Sequence, residues 1–254
     1  MNTTYLLLEV RRIVRDVPAL FFIVALPCFL YLIFGATQDY ADEPLLHGNV
    51  ALYITVGMAA YGAVTATSSI GGMAAVERAQ GWGRQLGLTP MRDWQFILVK
   101  TQVAVLLALI PVVGVYALGN ATGAEGSATA WAVSALAVVA GAVTFSLYGL
   151  VIGLAFGSES AVNAASGMLV ILAFLGNLFF PLSGTLLEIG RFTPLYGYAG
   201  LVRYPVNGGN GSSSPMEAGR EPDSLLWLLG NLGFWTLALG LLAVWLVRRG
   251  RPRQ

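Results

Sequence analysis

The chain has 254 residues, of which 56% are apolar or aromatic and only 11% are charged. A soluble domain carries about a quarter charged residues, so this composition, with a mean hydropathy of +0.71, excludes an ordinary soluble globule and a disordered chain. A net charge of +1 gives no nucleic-acid footprint, and a lone Cys28 and a lone His47 exclude an internal disulfide, a cysteine metal cluster and bis-histidine haem.

Residues 1–17 read as an amphipathic helix. Leu6, Leu7, Val10, Ile13, Val14 and Val17 fall on one arc, and Glu9, Arg11, Arg12, Arg15 and Asp16 on the other. Leu8 is the single exception, and such a helix is expected to lie in the membrane interface with its arginines toward lipid phosphates, the plain alternative being a cytoplasmic extension of the first span. Six apolar segments follow: Pro18–Phe34, Val50–Ala75, Trp94–Leu118, Ala130–Phe156, Ala161–Phe180 and Leu225–Val247. Each is long enough, at about twenty helical residues, to cross a bilayer core of ~30 Å. The first is long for a signal-peptide core and has no A-x-A-like site after it, so it is expected to stay in place.

Between the fifth and sixth segments, residues 181–206 are apolar but broken by Pro181, Gly184, Gly190, Pro194, Gly197 and Gly200. They are expected to form a re-entrant helical hairpin, the plain alternative being a surface loop. Residues 207–224 are rich in Gly, Asn and Ser and read as a flexible outer loop. The expected architecture is therefore an all-α membrane protein with six spans in a single domain, residues 1–254.

Orientation follows from charge. With six spans, one side carries Arg11, Arg12, Arg15, Arg78, Arg84, Arg92, Lys100, Arg248, Arg249, Arg251 and Arg253, and the other only Arg191, Arg203 and Arg220. The positive-inside rule places both termini in the cytoplasm. No ionisable residue falls in the middle of a span, which argues against a proton-coupled carrier. No G-x-S-x-G elbow and no Walker pattern occur; the only lysine, Lys100, follows Val99 rather than a glycine. No catalytic residue and no metal ligand is assigned, and energy for directed work is expected from another subunit.

Small residues are frequent in the second segment and at Gly149, Gly153 and Gly157 of the fourth, a pattern that lets helix backbones approach closely. Asn163, Ser166 and Asn177 of the fifth could line a substrate path or join helices by hydrogen bonds; the fourteen-residue spacing of the two asparagines puts them on one helix face.

The most informative stretch is the connection 76–93. Thr89 suits an N-cap and Pro90 the first helical position, and upstream Trp82 and Leu86 lie among charges. The order Glu77, Arg78, Gly81, Leu86, Leu88, Thr89, Pro90 and Lys100 resembles the cytoplasmic loop of the ABC-2 type transporter permease family. A second likeness is Phe179-Phe180-Pro181-Leu182 followed by Phe192-Thr193-Pro194-Leu195-Tyr196. The chain departs from the family at Ser183-Gly184-Thr185, where a proline is common, which bears on the local shape of the hairpin.

The resemblance implies a half-transporter: two permease chains, identical or not, face each other in the cytoplasmic (inner) membrane of a bacterium, each docked on an ABC ATP-binding subunit that holds ATP and Mg. No cofactor is expected in this chain. The loop residues Glu77, Arg78, Gly81, Trp82, Gly83 and Arg84 are the expected contact with that subunit, and Asn163, Ser166, Asn177 and Phe180 the candidate path residues. The implied function is export of a hydrophobic or amphiphilic compound (drug, antibiotic, peptide or lipid); Na+ or polysaccharide export within the family, and a non-transporting scaffold or sensor partner, are the alternatives.

Overall fold

The computed structural model describes residues 17–77, 93–180, 182–208 and 223–250, with Arg11 and Arg15. Among these the chain is helical, with two isolated bridge pairs, Pro44 with Asn49 and Gly48 with Gly126. The helices are α1 (17–36), α2 (Val50–Glu77), α3 (Asp93–Ala121), α4 (Ala128–Phe156), α5 (Glu159–Leu175), α6 (Gly184–Gly190), α7 (Pro194–Asn207) and α8 (Leu225–Gly250). Four of them are long and apolar enough to cross a membrane: α2, α4, the Gln102–Ala121 part of α3 and the Leu225–Val247 part of α8. The expected first and fifth spans are present as shorter apolar helices.

Local chemistry accounts for these boundaries. Ser127 caps α4 by accepting the Ala130 N–H at 3.1 Å, and Gly157, at φ 64°, stops it. Ser158 at once caps α5 through the Ala161 N–H at 3.2 Å. Serine accepts orphan donors at a helix start, and glycine takes the left-handed conformation that ends one. In α1, Pro27 has no N–H to offer the Ile23 carbonyl, and the preceding turn Phe21–Ala25 runs as π-helix.

The bundle is built around α2. Of its apolar window 94% is buried, against 11% for α8. Close approach is what makes this possible. A Cβ on Gly71 would strike the Ser146 carbonyl, one on Gly149 the Ser68 carbonyl, and one on Gly153 the Gly72 carbonyl. The backbones of α2 and α4 thus touch directly, and Ser68 Oγ donates to the Phe145 carbonyl at 3.0 Å across the seam. The small residues expected to let helices approach do so within the chain. On other sides of α2, Gly62 meets Ile23 of α1 and Pro111 of α3, Gly72 meets Val162 of α5, and Thr55 fills the space at Gly119.

The connections at one end are laced together. Asn49 donates to the Gly123 carbonyl at 2.7 Å and accepts the N–H groups of Leu52 and Glu125, each at 3.0 Å. The backbone joins the same loops through His47 N–H to Val206 O and Ser127 N–H to His47 O. Tyr31 and Thr122 hydroxyls meet at 2.8 Å. We call this the laced end; Glu77, Asp93 and the Phe156–Glu159 turn lie at the other.

Gly149→Leu is expected to destabilise the bundle by about 1–3 kcal/mol, because a side chain there has only backbone to displace. Gly230→Ala, where a Cβ meets nothing within 4 Å, is expected to leave stability unchanged or raised. Thermal unfolding of the two variants in the same detergent checks the contrast.

Candidate functional site

The fifth apolar segment does not run through as one helix. α5 stops at Leu175, and a Schellman motif closes it: Leu178 N–H bonds Ala173 O at 2.9 Å and Asn177 N–H bonds Phe174 O at 3.1 Å. Asn177 holds φ 58°, a conformation asparagine tolerates at this position. Its side-chain oxygen then accepts the Leu182 N–H at 2.7 Å, turning the chain toward α6.

This turn delivers two carbonyl groups to Arg203. The guanidinium, on α7, donates Nη1 to Asn177 O and Nη2 to Leu178 O, both at 2.7 Å. Its face lies over the Tyr53 ring of α2, 4.2 Å from the centroid. Gly57 makes room for it: a Cβ there would sit 2.6 Å from Nη2. Arg203 is only 5% exposed, and its Nε has no hydrogen-bond partner among the described residues. A buried cation is costly unless hydrogen-bonded or paired, so two carbonyls and an aromatic face at one point make this a built site.

α6 and α7 connect through 191–193, and that turn sits against the N-terminal half of α8. Asn231 donates to Arg191 O at 2.9 Å and Trp235 Nε1 to Phe192 O at 2.8 Å. Asn231 and Trp235 lie about two and three turns into α8, so the 191–193 turn sits ~9–15 Å along the bundle from that helix's start. α7 then runs back toward the laced end, where Val206 meets His47. Its contacts are close: Tyr198 packs on Gly141 and donates to Val138 O at 2.8 Å, and Gly197 and Gly200 admit Asn231 and Leu228. Arg191 reaches Asp223 at 2.9 Å and lies over Trp227, while Tyr196 also donates to Asp223.

The sequence-expected site residues separate into groups. Glu77 is the last residue of α2 and half-buried. Arg78, Gly81, Trp82, Gly83 and Arg84 lie outside the described residues, as do residues 1–10 of the expected interfacial helix. Asn163 is exposed on α5, and Ser166 returns its hydroxyl to Val162 O at 3.0 Å. Asn177 is buried beyond the end of α5, so it does not share a helix face with Asn163; the spacing argument assumed a helix that Gly176 and Asn177 terminate. Phe180 is exposed, edge-on to Phe34 of α1 at 5.1 Å and parallel to Phe174 of α5 at 6.5 Å.

Arg203 was not singled out by the sequence reading. Two signals point to it: an arginine isolated in the apolar run Leu201-Val202-Arg203-Tyr204, and a Gly-Asn helix stop inside an otherwise unbroken apolar segment.

The Arg191–Asp223 pair is expected to contribute little. Arg191 is 36% exposed, and a double-mutant cycle with Arg191→Met and Asp223→Asn should give a coupling of about 0.2–1 kcal/mol. Tyr198→Phe, which removes a buried hydroxyl bond to the Val138 carbonyl while that carbonyl keeps its place in the α4 ladder, is expected to cost about 1 kcal/mol in the same unfolding assay.

Residues 40–247 match the family model described as ABC-2 family transporter protein. No curated protein matches the chain. The match takes in seven of the helices described above and the whole Arg203 site; the chain belongs to the ABC-2 family of transporter proteins and is a multi-pass helical membrane protein.

Proposed function

We propose that this chain is the permease subunit of an ATP-driven exporter for a hydrophobic or amphiphilic compound, such as a drug, antibiotic, peptide or lipid. A separate ABC ATP-binding subunit, carrying ATP and Mg, supplies the energy. Membership of a transporter family is the observation that carries the reading. The spans add to it: they offer a greasy cargo apolar surface and few polar groups, and no Asp, Glu, Lys, Arg or His in the middle of a span through which protons could be relayed.

In this reading α1 and α5 count as spans, giving six. The laced end faces outward and both termini face the cytoplasm, as the distribution of Lys and Arg favours. The α6–α7 pair then enters the membrane from outside and returns, its turn ~9–15 Å deep along α8. Such a turn is tolerated within the hydrocarbon layer because its backbone is satisfied by Asn231, Trp235 and the Thr193 hydroxyl, which donates to Gly190 O at 2.8 Å.

The path is proposed along α5. One face, with Val162, Leu169 and Ala173, is buried against the bundle, and the other, with Asn163, Met168, Val170, Ile171 and Phe174, is open. A second permease chain, identical or not, would place two such faces opposite each other. Asn163, Ser166 and Phe180 line this surface; Asn177 serves the path by shaping its end.

The stroke would enter at the opposite end, through Glu77 and the connection after it, with Arg78, Gly81, Trp82, Gly83 and Arg84 against the ATP-binding subunit. α2 is the natural receiver, since it touches α1, α3, α4, α5 and α7. Glu77→Lys is expected to lower both transport and cargo-stimulated ATP hydrolysis several-fold while the permease still folds and inserts. Co-purification with a P-loop ATPase and ATP hydrolysis in proteoliposomes check this. Wild-type coupling in the variant would remove the loop assignment, and a chain that purifies with no ATPase would favour the scaffold reading.

A further inference from the structure

The guanidinium of Arg203 joins three elements that otherwise have separate backbones: α2 through Tyr53 and Gly57, the end of α5 through Asn177 and Leu178, and α7, which carries it. Every described contact it makes is to a neutral group, with no carboxylate among the described residues that hold it. That choice of partners has an energetic consequence. An arginine paired with a buried carboxylate strands an opposite charge when it moves. An arginine held by carbonyls strands only neutral acceptors, and on moving it regains its own hydration. The closed arrangement offsets a desolvated cation with two charge-assisted hydrogen bonds and a ring face. The open arrangement exchanges these for water. Opening at this point therefore leaves no counter-charge stranded, and its cost is set by the two hydrogen bonds and the ring face that are given up.

We propose that Arg203 is a releasable latch: its bidentate grip on the Asn177 and Leu178 carbonyls holds α7 against the end of α5, and its release lets that junction part and admits water between α5 and α7 at the laced end. It is a positioning residue, acting through the junction and not on a cargo. Its part in transport rests on the exporter reading, as the gate of the path along α5; the latch itself does not, and is tested without nucleotide, ATPase or cargo.

The junction can be read directly. Leu178 is 1% exposed, so a thiol placed there by Leu178→Cys, in a Cys28→Ala background, should react slowly with a water-soluble maleimide in liposomes containing the full chain. Arg203→Lys keeps the charge but loses the paired donors, and Tyr53→Leu keeps the donors but loses the ring face. Each is expected to raise the labelling rate at position 178 about tenfold or more, since labelling of a buried site follows the population of its open state. A second reporter, Ala142→Cys in buried α4, should stay protected in both variants. Unchanged labelling at 178 in both variants would overturn the latch. So would parallel increases at 178 and 142, which would make Arg203 a staple of the whole bundle. Failure of the exporter reading alone would leave the labelling pattern intact and abolish only its link to transport.

Discussion

The contact on which the bundle depends is the bare meeting of the α2 and α4 backbones. Gly71, Gly149 and Gly153 each sit where a side chain would collide with a carbonyl of the facing helix. In a membrane there is no hydrophobic drive to bring two greasy helices together, so association relies on tight packing and on hydrogen bonds. Here both occur at one crossing, with Ser68 bonding the Phe145 carbonyl beside the glycines. With α2 seated against α4, its remaining faces receive α1, α3, α5 and α7, and it becomes the interior of the molecule.

A buried helix must also hide its own polar groups. α2 carries Thr55, Thr65 and Thr67, and each hydroxyl folds back onto a carbonyl one turn earlier, Ala51, Tyr61 and Ala63 respectively. The helix therefore presents nearly apolar sides despite its threonines. The one full charge described within this packed region, Arg203, is treated differently. It is met by backbone carbonyls freed by a helix end and by an aromatic face, so the break in the fifth apolar segment and the buried cation account for each other.

Much of this was legible in the sequence. Hydropathy located the apolar segments because bilayer thickness fixes their length. The Gly157-Ser158 stop and start was readable from capping chemistry, and the small residues of α2 and α4 announced close crossings. What was not legible was the ranking of the segments. Val50–Ala75 and Leu225–Val247 look alike in hydropathy, yet one is the interior and the other the rim, because burial depends on which helices meet. The Asn163–Asn177 pairing failed for a local reason: periodicity was extended across Gly176-Asn177, a stop signal that outweighs it. Arg203 was counted among the outer charges because a side chain's partners, unlike its hydropathy, are not written beside it in the chain.

The two-residue turn between α4 and α5 has a mechanical corollary. Gly157 and Ser158 are both committed, one to ending a helix and the other to starting the next, so no slack remains in that elbow. The adjoining ends of the two helices are thereby held within two residues' reach of each other, close to the glycine crossing at Gly149 and Gly153. Neither foot can be displaced by more than the span of that short link unless the other follows or a cap gives way.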